Sequence, residues 1–211
     1  MARTIHDITV DLTPNTPCYP GKIPLSRDIQ SRISDGAVAN CSSFNVDCHY
    51  GTHVDSPNHF VKNGITIEQV DLDRLCGECV VIEIVGKREI LPSDLELLQP
   101  SSRVLFKSLG SNLLASGEFD PAKYPYLTAD AAILLVDLNT LCVGIDAFSV
   151  DAFGQADDAH NALLPAGIPI IECLNLTNVE PGSYQMAILP LKIVGAEAAP
   201  ARAMLWRDSI G

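Results

Sequence analysis

The chain has 211 residues, 47% of them apolar, and a formal net charge of −12. That length supports one domain whose core needs no disulfide or metal staple, while the acidic balance argues against a nucleic-acid partner and against an anionic membrane surface. No apolar run approaches the roughly 18 residues of a membrane span. The N-terminus lacks the layout of a signal peptide. The seven cysteines are scattered, mostly within apolar runs, and read as buried thiols of a reducing cytosol.

In chain order, residues 5–12 alternate with β-branched side chains and predict an opening strand. Pro14, Pro17, Pro20 and Gly21 make residues 13–24 a loop. Tyr19 in that loop reads first as an aromatic closing a core edge and second as a wall for a flat substrate. Residues 42–55 carry the cleanest pattern. Phe44, Val46, Cys48, Tyr50, Thr52 and Val54 alternate with Ser43, Asn45, Asp47, His49, Gly51, His53 and Asp55. Period two predicts a strand whose polar face is shared by His49, His53 and Asp55. It should loosen near Gly51, and Pro57 should turn the chain before His59.

Residues 79–85 read as a mostly buried strand and Arg103–Lys107 as another. Ser93–Glu96 has capping-box spacing and predicts a short helix. Residues 108–127, with Gly110, Gly117, Pro121 and Pro125, read as a long irregular segment. Thr128 is placed to cap a helix through about Leu138. A strand at Cys142–Asp146 follows, then a short helix over 157–164 that holds His160. Ile168–Leu174 is an apolar run around Glu172, and Tyr184–Val194 and Ala201–Arg207 predict closing strands. Strands dominate, which predicts a β-rich α+β fold in a single domain over residues 1–211.

Three of the five histidines, His49, His53 and His59, fall in one twelve-residue stretch with Asp55 among them. Imidazole and carboxylate groups at this spacing suit zinc or manganese, because one extended segment aims several donors at one point. Asp55 has two oxygens and could bridge two ions. Glu172, inside an apolar run, is costly to bury unless it is paired or binds a cation. His160, beside Asp157 and Asp158, reads on its own as a solvated histidine. His59, past the Pro57 turn, could ligate or act as a general acid/base. Cys76 and Cys79 form a lone CxxC and read as buried thiols. Ser149 and Asp151, just after a strand, read first as turn residues and second as pocket-lining residues. No Gly-x-Ser-x-Gly nucleophile elbow is present.

The stretch from His49 to Phe60 resembles the HxGTHxDxPxHF signature of metal-dependent hydrolases of the cyclase family, which includes bacterial kynurenine formamidase and isatin hydrolase. Tyr19-Pro20-Gly21 is similar to that family's aromatic-Pro-Gly loop. Gly144-Ile145-Asp146 with Ser149 and Asp151 is similar to its GxDxxSxD segment, and Glu172 to its glutamate. The resemblance implies a swivelling β/β/α-type fold, a homodimer or homotetramer, and one or two zinc or manganese ions per subunit. It implies that His49, His53 and Asp55 hold one ion, and that Asp55, His160 and Glu172 hold a second. His59 would transfer protons, and Tyr19, at a tryptophan position of kynurenine formamidases, would contact substrate. Lys22 follows Pro-Gly where that group has Asp. The expected reaction is hydrolysis of a small aromatic or cyclic amide, N-formylkynurenine first and isatin or another cyclic amide, imide or lactone second. A metal-binding protein without catalysis is the alternative of another class.

Overall fold

The computed structural model of the chain describes residues 3–117 and 120–208. The first two residues of the N-terminal stretch, and residues 118 and 119 of the 108–127 segment, lie outside them. The strands are β1 (Arg3–Asp7), β2 (Ser26–Ser31), β3 (Cys41–Asn45), β4 (His53–Asp55), β5 (Cys76–Glu83), β6 (Glu89–Ile90), β7 (Arg103–Lys107), β8 (Tyr126–Leu127), β9 (Cys142–Ile145), β10 (Ile170–Glu172), β11 (Gly182–Pro190) and β12 (Ala198–Asp208). The helices are α1 (Gly110–Ser116), α2 (Ala129–Asp137) and α3 (Asp158–Leu163).

The main sheet runs β1-β12-β11-β5-β7-β9-β10-β4, and β4 pairs back onto β12. That pairing closes the strands from β12 to β4 into a barrel-like ring, with β1 laid along the outside of β12. Pairs β5–β7, β7–β9 and β9–β10 are parallel. Parallel neighbours need crossover connections. Here α1 and α2 lie between β7 and β9, and α3 between β9 and β10. The β-rich α+β expectation holds.

Strand alternation sorts side chains to the two faces of the ring. Val54, Val81, Leu105, Ile171, Met186 and Leu205 come from six different strands and fall in one buried cluster, which is the ring's interior. Val104, Phe106, Val143, Ile145 and Ile170 point the other way and pack with Ala131, Ala132 and Leu135 of α2 and Leu163 of α3. Each such side chain contributes about 1.5–3 kcal/mol on burial. At Gly144 a Cβ would stand 2.4 Å from Leu105 Cδ2 and 2.9 Å from Leu174 Cδ1, so glycine lets the interior close there. Thr128 caps α2 as expected, its Oγ1 accepting the Ala131 N–H at 3.4 Å.

Several boundaries differ from expectation. The opening strand ends at Asp7, because the Thr9 hydroxyl takes over the ladder, donating to the Ala203 carbonyl and accepting the Ala203 N–H. The 42–55 strand is two strands. β3 pairs only with β2 in an exposed hairpin, where Phe44 is 63% exposed. The chain then turns at Asp47–Tyr50 and passes Gly51 at φ 67° before β4 begins. Ser93 starts no α-helix; Pro92–Leu95 is a single 3-10 turn, with the Asp94 carboxylate accepting the Leu91 N–H at 2.8 Å. The 108–127 segment is not irregular throughout, since it contains α1 and β8. The cysteines are all free, but only Cys79, Cys142 and Cys173 are buried, Cys76 being half-buried and Cys41 exposed. No helix among the described residues is long and apolar enough to cross a membrane.

Candidate metal centre

Two short strands build the centre. In β4, Val54 enters the ring interior, so His53 and Asp55 face outward, and all three are buried. β10 lies antiparallel beside β4 with Glu172 directly opposite His53. Glu172 ends its parallel strand, and the carboxyl ends of such strands are where α/β sheets place ligands. Its orientation is held locally: the Val150 N–H donates to Glu172 Oε1 at 2.9 Å. Cys173 next to it carries φ 55°, a strained value for a non-glycine residue. The Thr52 hydroxyl donates to the Cys173 carbonyl at 2.6 Å, and the Cys173 N–H donates to Ala147. His49 does not share the strand face. It arrives on the Asp47–Tyr50 turn, whose buried Tyr50 anchors it through a hydroxyl that donates to the Thr13 carbonyl at 2.7 Å.

Asp55 is the hub, and its two oxygens divide the cluster. Oδ1 stands 2.9 Å from His49 Nδ1 and 3.5 Å from His53 Nε2. Oδ2 stands 3.6 Å from His160 Nε2. Glu172 completes both sides, with Oε2 3.4 Å from His53 Nε2 and Oε1 3.6 Å from His160 Nε2. His160, read from sequence as solvated, is buried here. His53 Nε2 and both Asp55 oxygens have no hydrogen-bond partner although no solvent reaches them. Orphaned buried polar atoms are costly, and nitrogen and oxygen donors converging in this way fit a divalent metal ion. Donor atoms of His53, Asp55 and Glu172 lie within 4.8 Å of one another, and so do those of His49, Asp55 and His59.

The cluster attracts positive charge. Burial pulls the His53 imidazole down, but Asp55 and Glu172 outweigh it and raise the pKa to about 9. Burial also opposes His160, and the Asp151, Asp55 and Glu172 carboxylates raise it to about 10. Burial opposes the Asp55 carboxylate too, yet His53, His160 and His49 hold it well below the usual range. His59, half-buried at the rim, behaves in the opposite way. Burial, with His49, His160 and Lys22 nearby, lowers it to about 4 against the pull of Asp55.

A cleft of about 220 Å³ opens over the cluster. His49, His59, His160 and Glu172 form its floor, and Tyr19, Phe60 and Phe148 give it aromatic walls. Phe60 stacks on His160 at 4.6 Å between ring centroids, and Tyr19 tilts against Phe153 at 5.7 Å. Burial and the Asp157, Glu172 and Asp151 carboxylates push the Tyr19 phenol up, marking an acidic side of the cleft. Ser149 also lines it. Two roomier hollows, of about 450 and 400 Å³, lie elsewhere and are lined by no histidine.

Residues 6–152 match the Cyclase family model, described as "Putative cyclase". The chain belongs to the cyclase family. The kynurenine formamidase of Salinibacter ruber is 37% identical over 96% of this chain and 97% of its own. A predicted metal-dependent hydrolase from Bacillus stearothermophilus is 31% identical, covers 98% of this chain and 99% of its own, and superposes with a TM-score of 0.85. Isatin hydrolase A of Labrenzia aggregata shares the fold, with a TM-score of 0.87 at 21% identity over 98% of this chain and 94% of its own. This cyclase-family chain is an enzyme, a hydrolase of that group.

Two further carboxylates face the histidines of this cyclase-family site: Asp151, which the resemblance to GxDxxSxD had singled out without a role, and Glu197, which no motif marked. The His160 Nδ1–H donates to Asp151 Oδ2 in a short contact, while the Ala159 N–H donates to Oδ1 at 2.7 Å. Asp151 thus starts α3 and orients its histidine, where sequence reading had a turn residue. Glu197 Oε1 lies 3.2 Å from His49 Nε2. Nothing in its neighbourhood of sequence signals this. The third of the family's aspartates, Asp146, is buried away from the cluster and accepts from Ser108 and Ser111.

Proposed function

We propose that this hydrolase cleaves the formamide of N-formylkynurenine to kynurenine and formate. The observation that carries the reading is Asp55, which shares its oxygens between His49 and His53 on one side and His160 on the other, beneath an aromatic cleft. His49, His53 and Asp55 would hold one zinc or manganese ion, and Asp55, His160 and Glu172 a second. A bound divalent ion supplies Lewis acidity, lowering the pKa of water toward ~7 and balancing charge on an acyl oxygen. His59, held neutral near pH 7 by its lowered pKa, accepts through a ring nitrogen the proton released as water oxygen bonds to the formyl carbon. It returns that proton to the anilide nitrogen as the bond to the formyl carbon breaks. Tyr19, Phe60 and Phe148 hold the aryl ring. The kynurenine formamidase of Salinibacter ruber supports the choice of substrate.

The same reading takes residues 1–211 as one domain that works in the cytosol, in keeping with seven free cysteines. It takes a second copy of the chain as partner, in a homodimer or homotetramer. The β2–β3 hairpin supports this, since it exposes Ile29 and Phe44 and pairs with no other strand among the described residues. Size-exclusion chromatography with light scattering tests it, and a monomer at micromolar concentration overturns it.

Loss of formylkynurenine absorbance, followed with and without chelator, tests the chemistry. Turnover is expected to vanish on stripping and return with zinc or manganese. Full activity of the stripped protein sinks the mechanism. Isatin and neutral lactones belong in the same substrate panel. Stoichiometric metal with no turnover on any of them would leave a metal-binding protein.

A further inference from the structure

Tyr19 and Lys22 are the two ends of one rigid turn. Pro20 holds its second position and Gly21, at φ 90°, its third, and the Lys22 N–H donates to the Tyr19 carbonyl at 3.1 Å. This is the residue pattern of a type II turn, in which proline pre-sets φ and glycine accepts the positive φ without strain. The turn delivers an aromatic ring and an ammonium group to the same cleft, and both line it together with His59.

Lys22 stands out against its surroundings. Asp and Glu outnumber Lys and Arg by 26 to 14 in the chain. The cleft itself is lined by Asp157 and Glu172, yet among the described residues it has Lys22 in its wall and no other lysine or arginine. Among the described residues the Lys22 Nζ pairs only with Asp47 Oδ1, at 3.8 Å, with both side chains part-exposed. That separation is the outer limit of an ion pair, and an ammonium carries three donors. Away from the histidine floor, Lys22 is the cationic side chain that this cleft's wall offers to a carboxylate.

We infer that Lys22 is a substrate-carboxylate site, so that the cleft takes an aryl amide whose side arm carries a carboxylate, the ring lying against Tyr19 and the carboxylate on Lys22 Nζ. This rests on the amidohydrolase reading above and adds to it the residue that holds the substrate's carboxylate. An acidic anilide such as N-formylkynurenine satisfies Lys22, whereas a neutral lactam such as isatin does not.

The test is steady-state kinetics of the wild type, Lys22→Met and Lys22→Arg on two formanilides. One is N-formylkynurenine and the other is N-formyl-2-aminoacetophenone, which keeps the ring, ketone and formamide but lacks the amino-acid arm. Lys22→Met is expected to raise KM for N-formylkynurenine about tenfold or more, the worth of a charged hydrogen bond, with kcat held within about twofold. Lys22→Arg should recover most of that loss, and KM for the neutral anilide should not move in either variant. An equal rise on both substrates, or none on N-formylkynurenine, overturns the assignment. If the wild type hydrolyses neither compound, the amidohydrolase reading fails by itself. Calorimetric titration with kynurenine then decides the site: tenfold weaker binding to Lys22→Met sustains it, and equal binding overturns it.

Discussion

Each of the three histidines around Asp55 has one ring nitrogen already engaged, and that partner sets the use of the other. A carbonyl can only accept, so His53 Nδ1 carries the proton it shares with Gly51 at 2.8 Å, and in the neutral imidazole that ligates metal Nε2 is then the lone-pair donor. Asp151 does the same for His160, and Glu197 faces His49. Such outer partners orient metal-ligating imidazoles, and losing one typically costs 10–100-fold in affinity. Asp151→Asn should therefore weaken zinc binding by about that factor, measured by competition with a chromogenic chelator. The variant's amide oxygen can still accept from Ala159, so α3 should persist by circular dichroism; unchanged affinity would remove Asp151 from this role. For His59→Ala, kcat should fall by about 10²–10⁴ with metal content intact. His59 lies close enough to His49 and Asp55 to be a ligand, and loss of metal along with activity would make it one. The spacing of His49, His53, Asp55 and His59 was legible because those four residues share one short stretch. Asp151 stood in a motif but its partner His160 did not show from spacing, and Glu197, 148 residues from His49, meets its histidine only through the tertiary fold.

At the scale of elements, the unexpected helix α1 has an identifiable cause. Its first turn follows Ser108 and contains Gly110 and Ser111, residues that by propensity favour turns. Asp146, just past β9, reaches over and satisfies it: the Ser108 N–H and hydroxyl and the Ser111 N–H and hydroxyl all donate to its carboxylate, at 2.6–2.9 Å. Gly110 is required there, because a Cβ would stand 1.9 Å from the Asp146 carbonyl oxygen. The Asp146 carboxyl is itself pushed up by burial, against the pull of those four bonds. A cap supplied from 35 residues downstream leaves no trace in the local pattern. Of the two helices read from sequence, α2 and α3, α2 is capped by its own Thr128. Asp146→Ala should lower stability by at least about 3 kcal/mol, since several buried donors lose their partner together. A denaturant midpoint equal to wild type would show that α1 is held some other way. The 42–55 strand failed for a related reason. The expected loosening at Gly51 is there, at positive φ, but the chain already turns at Asp47–Tyr50, so β3 pairs with β2 and the three residues of β4 pair with both β10 and β12.

For the whole molecule, the cluster links stability to pH with a sign that depends on metal. His53 and His160 have folded pKa values of about 9 and about 10, above the ordinary histidine value near 6.5. Between those values the metal-free folded chain binds more protons than the unfolded chain. Their contribution is therefore complete below about pH 6.5 and is lost as pH rises through 9 to 10. Asp55, depressed in the fold, contributes above its ordinary 3.8 and loses that contribution as pH falls. Metal reverses the upper slope, because imidazole must be deprotonated to ligate and ligand binding adds RT ln(1 + [L]/Kd) to stability. Between pH 6.5 and 8.5 the melting temperature should fall with pH in chelator, by a few degrees for each kcal/mol at this chain length, and should rise with pH under saturating zinc. The two curves should spread apart as pH increases. Parallel curves would mean that zinc binds without displacing protons, which the burial of His53, Asp55 and His160 among facing carboxylates does not allow. The His53→Gln/His160→Gln double variant separates the site from general alkaline titration. It keeps neutral polar groups in place of the imidazoles, so its chelator curve should flatten and its zinc-dependent rise should vanish.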